Sequence, residues 1–312
     1  MRRYLWAIVI VVLGALLLSS LLSFLRTEYP TQESCPPYSR SVHGSIEIQG
    51  EQDFTTPGSG SGCECIRGGA GTMTSPYVIA GWNIDASMAE GIQITGTTVY
   101  FTVRDVVIRG VGGSYAGIYL YEVQNGRIEN STLSNNFVGV YLLKSEFNAL
   151  QHNLVLNNTF GVWLEASHST IVIENEIADN HQIGLWIRGS NHQILHNTIS
   201  KNGVAGINLD GTLTWARNNT IAGNEIIWNG RGGSGIILYQ ADGNILRDNV
   251  VRENGKFGGI ILETSGGNLL TANDISENIG DGILMYAQSS NNRIQSNKVG
   301  GKKLSRSYSK TK

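Results

Sequence analysis

The sequence predicts an all-β chain wound as a right-handed parallel β-helix. Three observations carry this expectation. The chain has 312 residues, with 39 glycines, many asparagines, only 5 prolines and 15% charged residues. From about residue 78 it repeats itself with a period of mostly 22–24 residues, and self-similarity on that scale marks a solenoid. Within each repeat apolar residues alternate with period two, as in a strand with one buried face.

The repeats align on a glycine: Gly91, Gly117, Gly139, Gly161, Gly184, Gly206, Gly235, Gly259 and Gly282. The next residue is apolar each time, from Ile92 to Ile283, and so is the one two further on, from Ile94 to Met285. A second anchor follows about fourteen residues later: Ser131, Asn153, Asn175, Asn197, Asn224, Asn249, Asn273 and Asn297. Apolar residues stand three before it and two after it, and a further asparagine stands five after it, from Asn136 to Asn278. Each repeat therefore holds short strands separated by bends.

A short strand cannot bury its apolar face alone, but stacked copies share a continuous core. Strands of neighbouring coils lie about 4.8 Å apart, so equivalent residues sit over one another. Stacked asparagines then hydrogen-bond amide to amide, and asparagine also tolerates the left-handed backbone of a tight bend. About nine to ten coils are expected over residues 71–300. A helical solenoid is excluded, because no repeat has an apolar period near 3.6 and glycine is too frequent. Calcium-binding nonapeptides are excluded too, since glycine-rich stretches such as 230–235 lack aspartate. The step from Gly206 to Gly235 is 29 residues, against 22 just before. The extra residues, around 212–219, should form a loop of the kind that borders binding surfaces in solenoids.

The ends of the chain read differently. Arg2 and Arg3 precede an uncharged, mostly apolar run from Tyr4 to Leu25, about the length that crosses a bilayer as a helix. Residues 1–26 are therefore expected to be a hydrophobic helix, a signal anchor or a signal peptide, with the rest of the chain outside the cytoplasm. Residues 27–70 read as an irregular linker or N-terminal cap, and 301–312 as a basic disordered tail. In an oxidising compartment Cys35 can pair with Cys63 or Cys65, leaving one cysteine over. A net charge of −2 gives no electrostatic case for a nucleic-acid partner. No phosphate-cradling loop or nucleophile elbow is present.

The stretch from Gly71 to Ile84, with the Gly-Ile-x-Leu and Asn-x-Ile-x-x-Asn repeats after it, resembles right-handed β-helix proteins of the NosD-like type, the carbohydrate-binding and sugar-hydrolysis group with a pectin-lyase-like fold. The resemblance spans roughly residues 71–300. It implies an exported protein that binds or acts on polysaccharide, or a periplasmic accessory protein of the copper-delivering branch. Copper itself has no support in the sequence, because methionine and cysteine are scarce and unclustered. No cofactor or metal is expected.

Candidate site residues come from the outward positions of the strand after each anchor glycine. Tyr119, Tyr141, Trp163 and Trp186 fall in one column over four coils and predict an external aromatic stripe suited to sugar rings. Tyr239, in the neighbouring column, joins them as a candidate substrate contact. That second column also holds Glu165, Arg188 and Asp210, which are the candidate catalytic residues of a polysaccharide lyase, hydrolase or epimerase. The carboxylates, two coils apart, would be separated by roughly 9–10 Å, near the upper end for an inverting pair. Arg188 between them would keep both ionised, which suits a base and not an acid. A lyase or epimerase could use it to neutralise a uronate carboxylate, while a surface ion-pair ladder is the stronger reading. Motifs associated with pectinases, such as paired aspartates, are missing. A third column, Asn130, His152, Glu174, His196, Gly223 and Asp248, offers imidazole and carboxylate but reads better as solvated bend residues. His43, His168, His181 and His192 build no cluster. The expected partners are a polysaccharide or glycan and, through the N-terminal helix, a membrane; a structural surface or adhesion scaffold is the alternative.

Overall fold

The computed structural model describes residues 41–55, 65–230 and 232–300, with the backbone of 305–307. The expected N-terminal hydrophobic helix lies outside the described residues. Among the described residues no helix is long and apolar enough to cross a membrane.

Three long sheets run along one axis, with 11, 11 and 10 strands, and strands three apart in sequence are neighbours throughout. The first sheet runs from Ser41–His43 to Lys298–Val299, the second from Ile46–Gln49 to Ser305–Ser307, and the third from Tyr77–Ala80 to Arg293–Gln295. The strand pairs are parallel, for example Val140 on Ile118 and Val162. The Gly-Ile-x-Leu strands form the second sheet. The strands before and after the asparagine anchor form the third and the first.

The inward columns close the core. Ile94, Leu120, Leu142, Leu164, Ile187, Leu209, Leu238 and Leu262 are all fully buried along the second sheet, and equivalent columns from the other two sheets meet them. Each such side chain contributes about 1.5–3 kcal/mol by leaving water. The anchor glycines follow from close approach. A Cβ on Gly139 would stand 2.4 Å from Val155 Cγ1 and 2.7 Å from the Gly161 carbonyl of the next coil.

Buried asparagines hold the bends. The Asn158 N–H and side-chain amide both donate to Asn180 Oδ1, at 2.9 and 3.1 Å, and the same amide donates to the Leu133 carbonyl. This unit repeats from Asn136 to Asn278 and again from Asn153 to Asn297. A third ladder, not anticipated from the sequence, runs through His192, Asn219, Asn244, Asn268 and Asn292.

The left-handed conformation expected of these asparagines falls one residue earlier. Asn130, His152, Glu174, His196 and Asp248 have φ between 50° and 56°, and Gly223 has 64°. The ladder residue is selected for its amide, and the residue before it only has to accept the bend.

Two boundaries move. Coils begin at residue 41, inside the expected linker, with Ile46 and Ile48 in register on Ile92 and Ile94. At the other end, Ser305–Ser307 of the expected disordered tail pairs with Leu284–Tyr286. Residues 66–68 also run antiparallel along Val78 and Ile79 at the margin of the third sheet.

Candidate functional site

The outward face of the second sheet brings the predicted aromatic column together. Tyr119 pairs with Tyr141, Tyr141 with Trp163, Trp163 with Trp186. Ring centroids are 5.3, 5.1 and 4.5 Å apart along the series, and the two indoles lie nearly parallel, at 13°. Offset stacking of this kind favours each pair by about 0.5–1.5 kcal/mol beyond area burial. All four rings are half-buried. Burial, with the negative charges of Glu90, Glu122 and Glu165 adding to it, pushes the Tyr119 hydroxyl pKa up. Asn208 continues the column after Trp186.

Sequence reasoning missed Phe160, whose ring centroid is 5.4 Å from both Trp163 and Trp186. Strand parity counted from Val162 and Leu164 would point Phe160 inward. At the start of the strand the chain is still turning, and the ring lies on the outer face. Phe137 meets it edge-on at 5.6 Å and is exposed, so the stripe widens on that side. Tyr239 is placed elsewhere: it pairs in register with Asp210, and among the described residues no ring contact ties it to the stripe.

Beside the indoles sit Glu165, Arg188 and Asp210 on three successive coils, as the column predicted. Arg188 Nε donates to Asp210 Oδ2 at 2.9 Å, a second guanidinium nitrogen is also 2.9 Å from that oxygen, and a third is 3.5 Å from Glu165 Oε1. The guanidinium lies 4.3 Å from the Trp186 ring centre, a cation–π distance. Glu165 Oε2 accepts from the Tyr141 hydroxyl at 2.8 Å. Burial and this bond to a carboxylate hold the Tyr141 hydroxyl protonated well above its ordinary range.

Asp210 Oδ1 accepts from the Thr212 N–H and hydroxyl. Burial works to raise the Asp210 pKa, but the Thr212 bonds and Arg188 outweigh it and leave the carboxyl below its usual value. The triad is thus a closed ion-pair network. General-acid chemistry needs a carboxyl that keeps its proton, and Asp210 is held ionised.

The expected loop lies at 211–219 and rims the triad. The Thr214 hydroxyl donates to the Arg188 carbonyl, and Ser190 Oγ donates to the Trp215 carbonyl. Trp215 is exposed beneath the Arg217 guanidinium. The remaining inserted residues fall between Asn229 and Gly235, where the Gly233 N–H donates to the Gly230 carbonyl.

The His152–Glu174–His196 column lines a shallow cleft, and His152 Nε2 is 3.2 Å from Glu174 Oε2. The two imidazoles stand two rungs apart, roughly 9–10 Å along the axis, with Glu174 between them. Among the described residues no group of three or more His, Cys, Asp or Glu side chains is placed to hold a metal ion. Of the cysteine candidates, Cys65 is buried, while Cys35 and Cys63 lie outside the described residues.

The sequence reading also missed a buried polar cluster on the third sheet, where Arg127 and Glu129 pair at 2.6 Å and Gln151 donates to Glu129.

The stacked columns and closed core define the class: a right-handed parallel β-helix repeat protein. Residues 90–232 match the family model of the right-handed beta helix region, and residues 189–311 match that of the periplasmic copper-binding protein NosD. Copper does not fit the matched stretch. It contains no cysteine, a single, buried methionine, Met285, and two histidines. One of those, His192, is enclosed in an asparagine ladder. Thiolate, thioether and imidazole clusters are what copper selects.

Solved structures share the fold. The Azotobacter vinelandii mannuronan C-5 epimerase AlgE6 A-module superposes with a TM-score of 0.55 at 14% identity, covering 76% of this chain and 89% of its own. The enzymatically active domain of bacteriophage CBA120 tailspike protein 2 gives 0.54 at 10%, covering 72% and 38%. Alginate lyase from Paenibacillus sp. gives 0.50 at 13%, covering 84% and 99%. Among curated proteins none matches by sequence.

Proposed function

We propose that the chain is an extracytoplasmic β-helix protein, tethered by its N-terminal apolar segment, that binds a polysaccharide along the outer face of the second sheet. One observation carries the reading. Tyr119, Tyr141, Trp163 and Trp186 form a continuous aromatic stack parallel to the solenoid axis, partly open to solvent. Three rung steps give a platform of roughly 14 Å, room for about three pyranose rings laid on aromatic faces. Tyr239 extends the contact on the far side of Asp210.

The NosD description supports an extracytoplasmic location. The epimerase and lyase names supply the first polymer to test, alginate. The closed Glu165–Arg188–Asp210 network argues for recognition over catalysis.

Affinity electrophoresis through gels loaded with soluble polysaccharides tests the proposal. Retention that falls in Trp163→Ala and Trp186→Ala supports it. Absence of retention on every polymer, with the variants indistinguishable from wild type, favours a structural scaffold. Product release from any polymer, abolished in Asp210→Asn, would replace binding with catalysis.

A further inference from the structure

The stripe and the triad together select among polysaccharides. We infer that the site takes a neutral polysaccharide and disfavours a polyuronate, an inference that rests on the glycan-binding reading above.

A polyuronate-binding surface needs cations free to meet carboxylates. Among the described residues the cation beside the indoles is Arg188, and it is already committed. Arg188 gives two of its nitrogens to Asp210 and a third to Glu165, and its flat face lies on Trp186. Its side chain is 15% exposed. To bind a uronate, the guanidinium would have to leave two carboxylates for one, stranding a partly buried negative charge. Losing one member of such a network is costly because the remaining charge keeps its desolvation penalty.

The net charge around the stripe is negative. Glu165 and Asp210 outnumber Arg188 in the triad. Glu263 follows in the same column, paired in register with Tyr239. Lys144, at the Tyr121 side, is drawn toward Glu122 at 3.5 Å. At these separations in a half-exposed site, each added carboxylate meets repulsion.

The polar edge also has the wrong hydrogen-bond sense for a uronate. Its outermost polar group is the Glu165 carboxylate, with Asp210 buried behind it. Carboxylate oxygens accept, and sugar hydroxyls donate to them. A uronate carboxylate only accepts, and cannot bond to that carboxylate. The geometry therefore matches a hydroxyl-rich, uncharged chain lying on Tyr119–Trp186 with its hydroxyls turned toward the acidic edge.

The experiment is affinity electrophoresis, at neutral pH and at low and high salt, on neutral soluble polymers (galactomannan, xyloglucan, pullulan) and on polyuronates (alginate, polygalacturonate). The proteins are wild type, Trp163→Ala and the double variant Glu165→Gln/Asp210→Asn. The expected result is retention of wild type on at least one neutral polymer and roughly tenfold weaker or no retention on both polyuronates. That ratio corresponds to about 1.4 kcal/mol.

The double variant should gain polyuronate binding as Arg188 is released, and the gain should fade at high salt. If wild type is retained on a polyuronate as tightly as on any neutral polymer, and Trp163→Ala abolishes it, the selectivity is overturned and glycan binding stands. Retention on no polymer overturns both. Should the double variant fail to fold, the wild-type rank order decides alone.

Discussion

Two kinds of repeated column lie along the solenoid, asparagine ladders over most of its coils and an aromatic stripe over four, and they differ in one respect. In the asparagine ladders each amide satisfies neighbours above and below: Asn175 Oδ1 accepts from both the N–H and the amide of Asn153, and its own amide donates to Asn197, Leu150 and Ile173. In the aromatic stripe Trp163 and Trp186 repeat just as regularly, but they meet through stacked rings and stay half-exposed. A hydrogen-bonded, buried repeat is explained by architecture alone. A repeat that stacks well and stays half-exposed is where a ligand has something to add.

The contrast can be broken at the ladder first. Asn175→Ala removes partners from Asn153 and from the Leu150 and Ile173 carbonyls. Buried unsatisfied groups cost about 1–3 kcal/mol each, so the variant should lose on the order of 3–4 kcal/mol, read as a lower denaturation midpoint. A loss below about 1 kcal/mol would mean that the ladder is incidental to stability.

His192 sharpens the same point through pH. Its Nδ1 accepts from the Thr170 N–H and its own N–H donates to Asn219. Burial depresses its pKa to about 3. The unfolded chain takes up a proton near pH 6.5, while the folded one resists until about pH 3. The stability this group contributes is therefore whole above about pH 6.5 and is lost as pH falls toward 3. At pH 4 the deficit should be on the order of 3 kcal/mol. His192→Asn, which restores an amide to the ladder, should flatten the midpoint between pH 6.5 and 4. An unchanged slope would show that other groups set it.

At the stripe the expected effects are smaller and fall on binding. Trp186→Ala should weaken polysaccharide retention about tenfold, one stacking contact of roughly 1.5 kcal/mol. Its denaturation midpoint should shift less than that of Asn175→Ala. The reverse ranking would make the indoles structural.

The smallest effect lies in the bend column. Glu174 holds φ 54°, where a Cβ costs about 1–2 kcal/mol. Glu174→Gly should raise stability by up to about 1 kcal/mol, less whatever the exposed His152 pair contributes. A decrease would show that the carboxylate matters more than the strain.

The coil register was readable because side-chain direction alternates strictly: Ile94 and Leu120 had to stack, and so did Trp163 and Trp186. Legibility failed wherever parity or periodicity was interrupted. The third ladder hid because Thr170 and His192 break its run of asparagines. The coil at Ile46 hid because no anchor glycine precedes it. Phe160 hid because a bend resets the alternation. The candidate triad was legible as a column, but its closure was not, since only side-chain rotamers decide that Arg188 bonds Asp210 through two nitrogens.

The bend column has a practical consequence. His152, Glu174, His196, Gly223 and Asp248 occupy the same backbone slot on successive coils, so the slot is indifferent to chemistry. Evenly spaced at about 4.8 Å and outside the core, it is a rack on which charges can be exchanged rung by rung. A lineage, or a protein engineer, can rewrite the electrostatic face of this solenoid there while its interior and its amide ladders remain untouched.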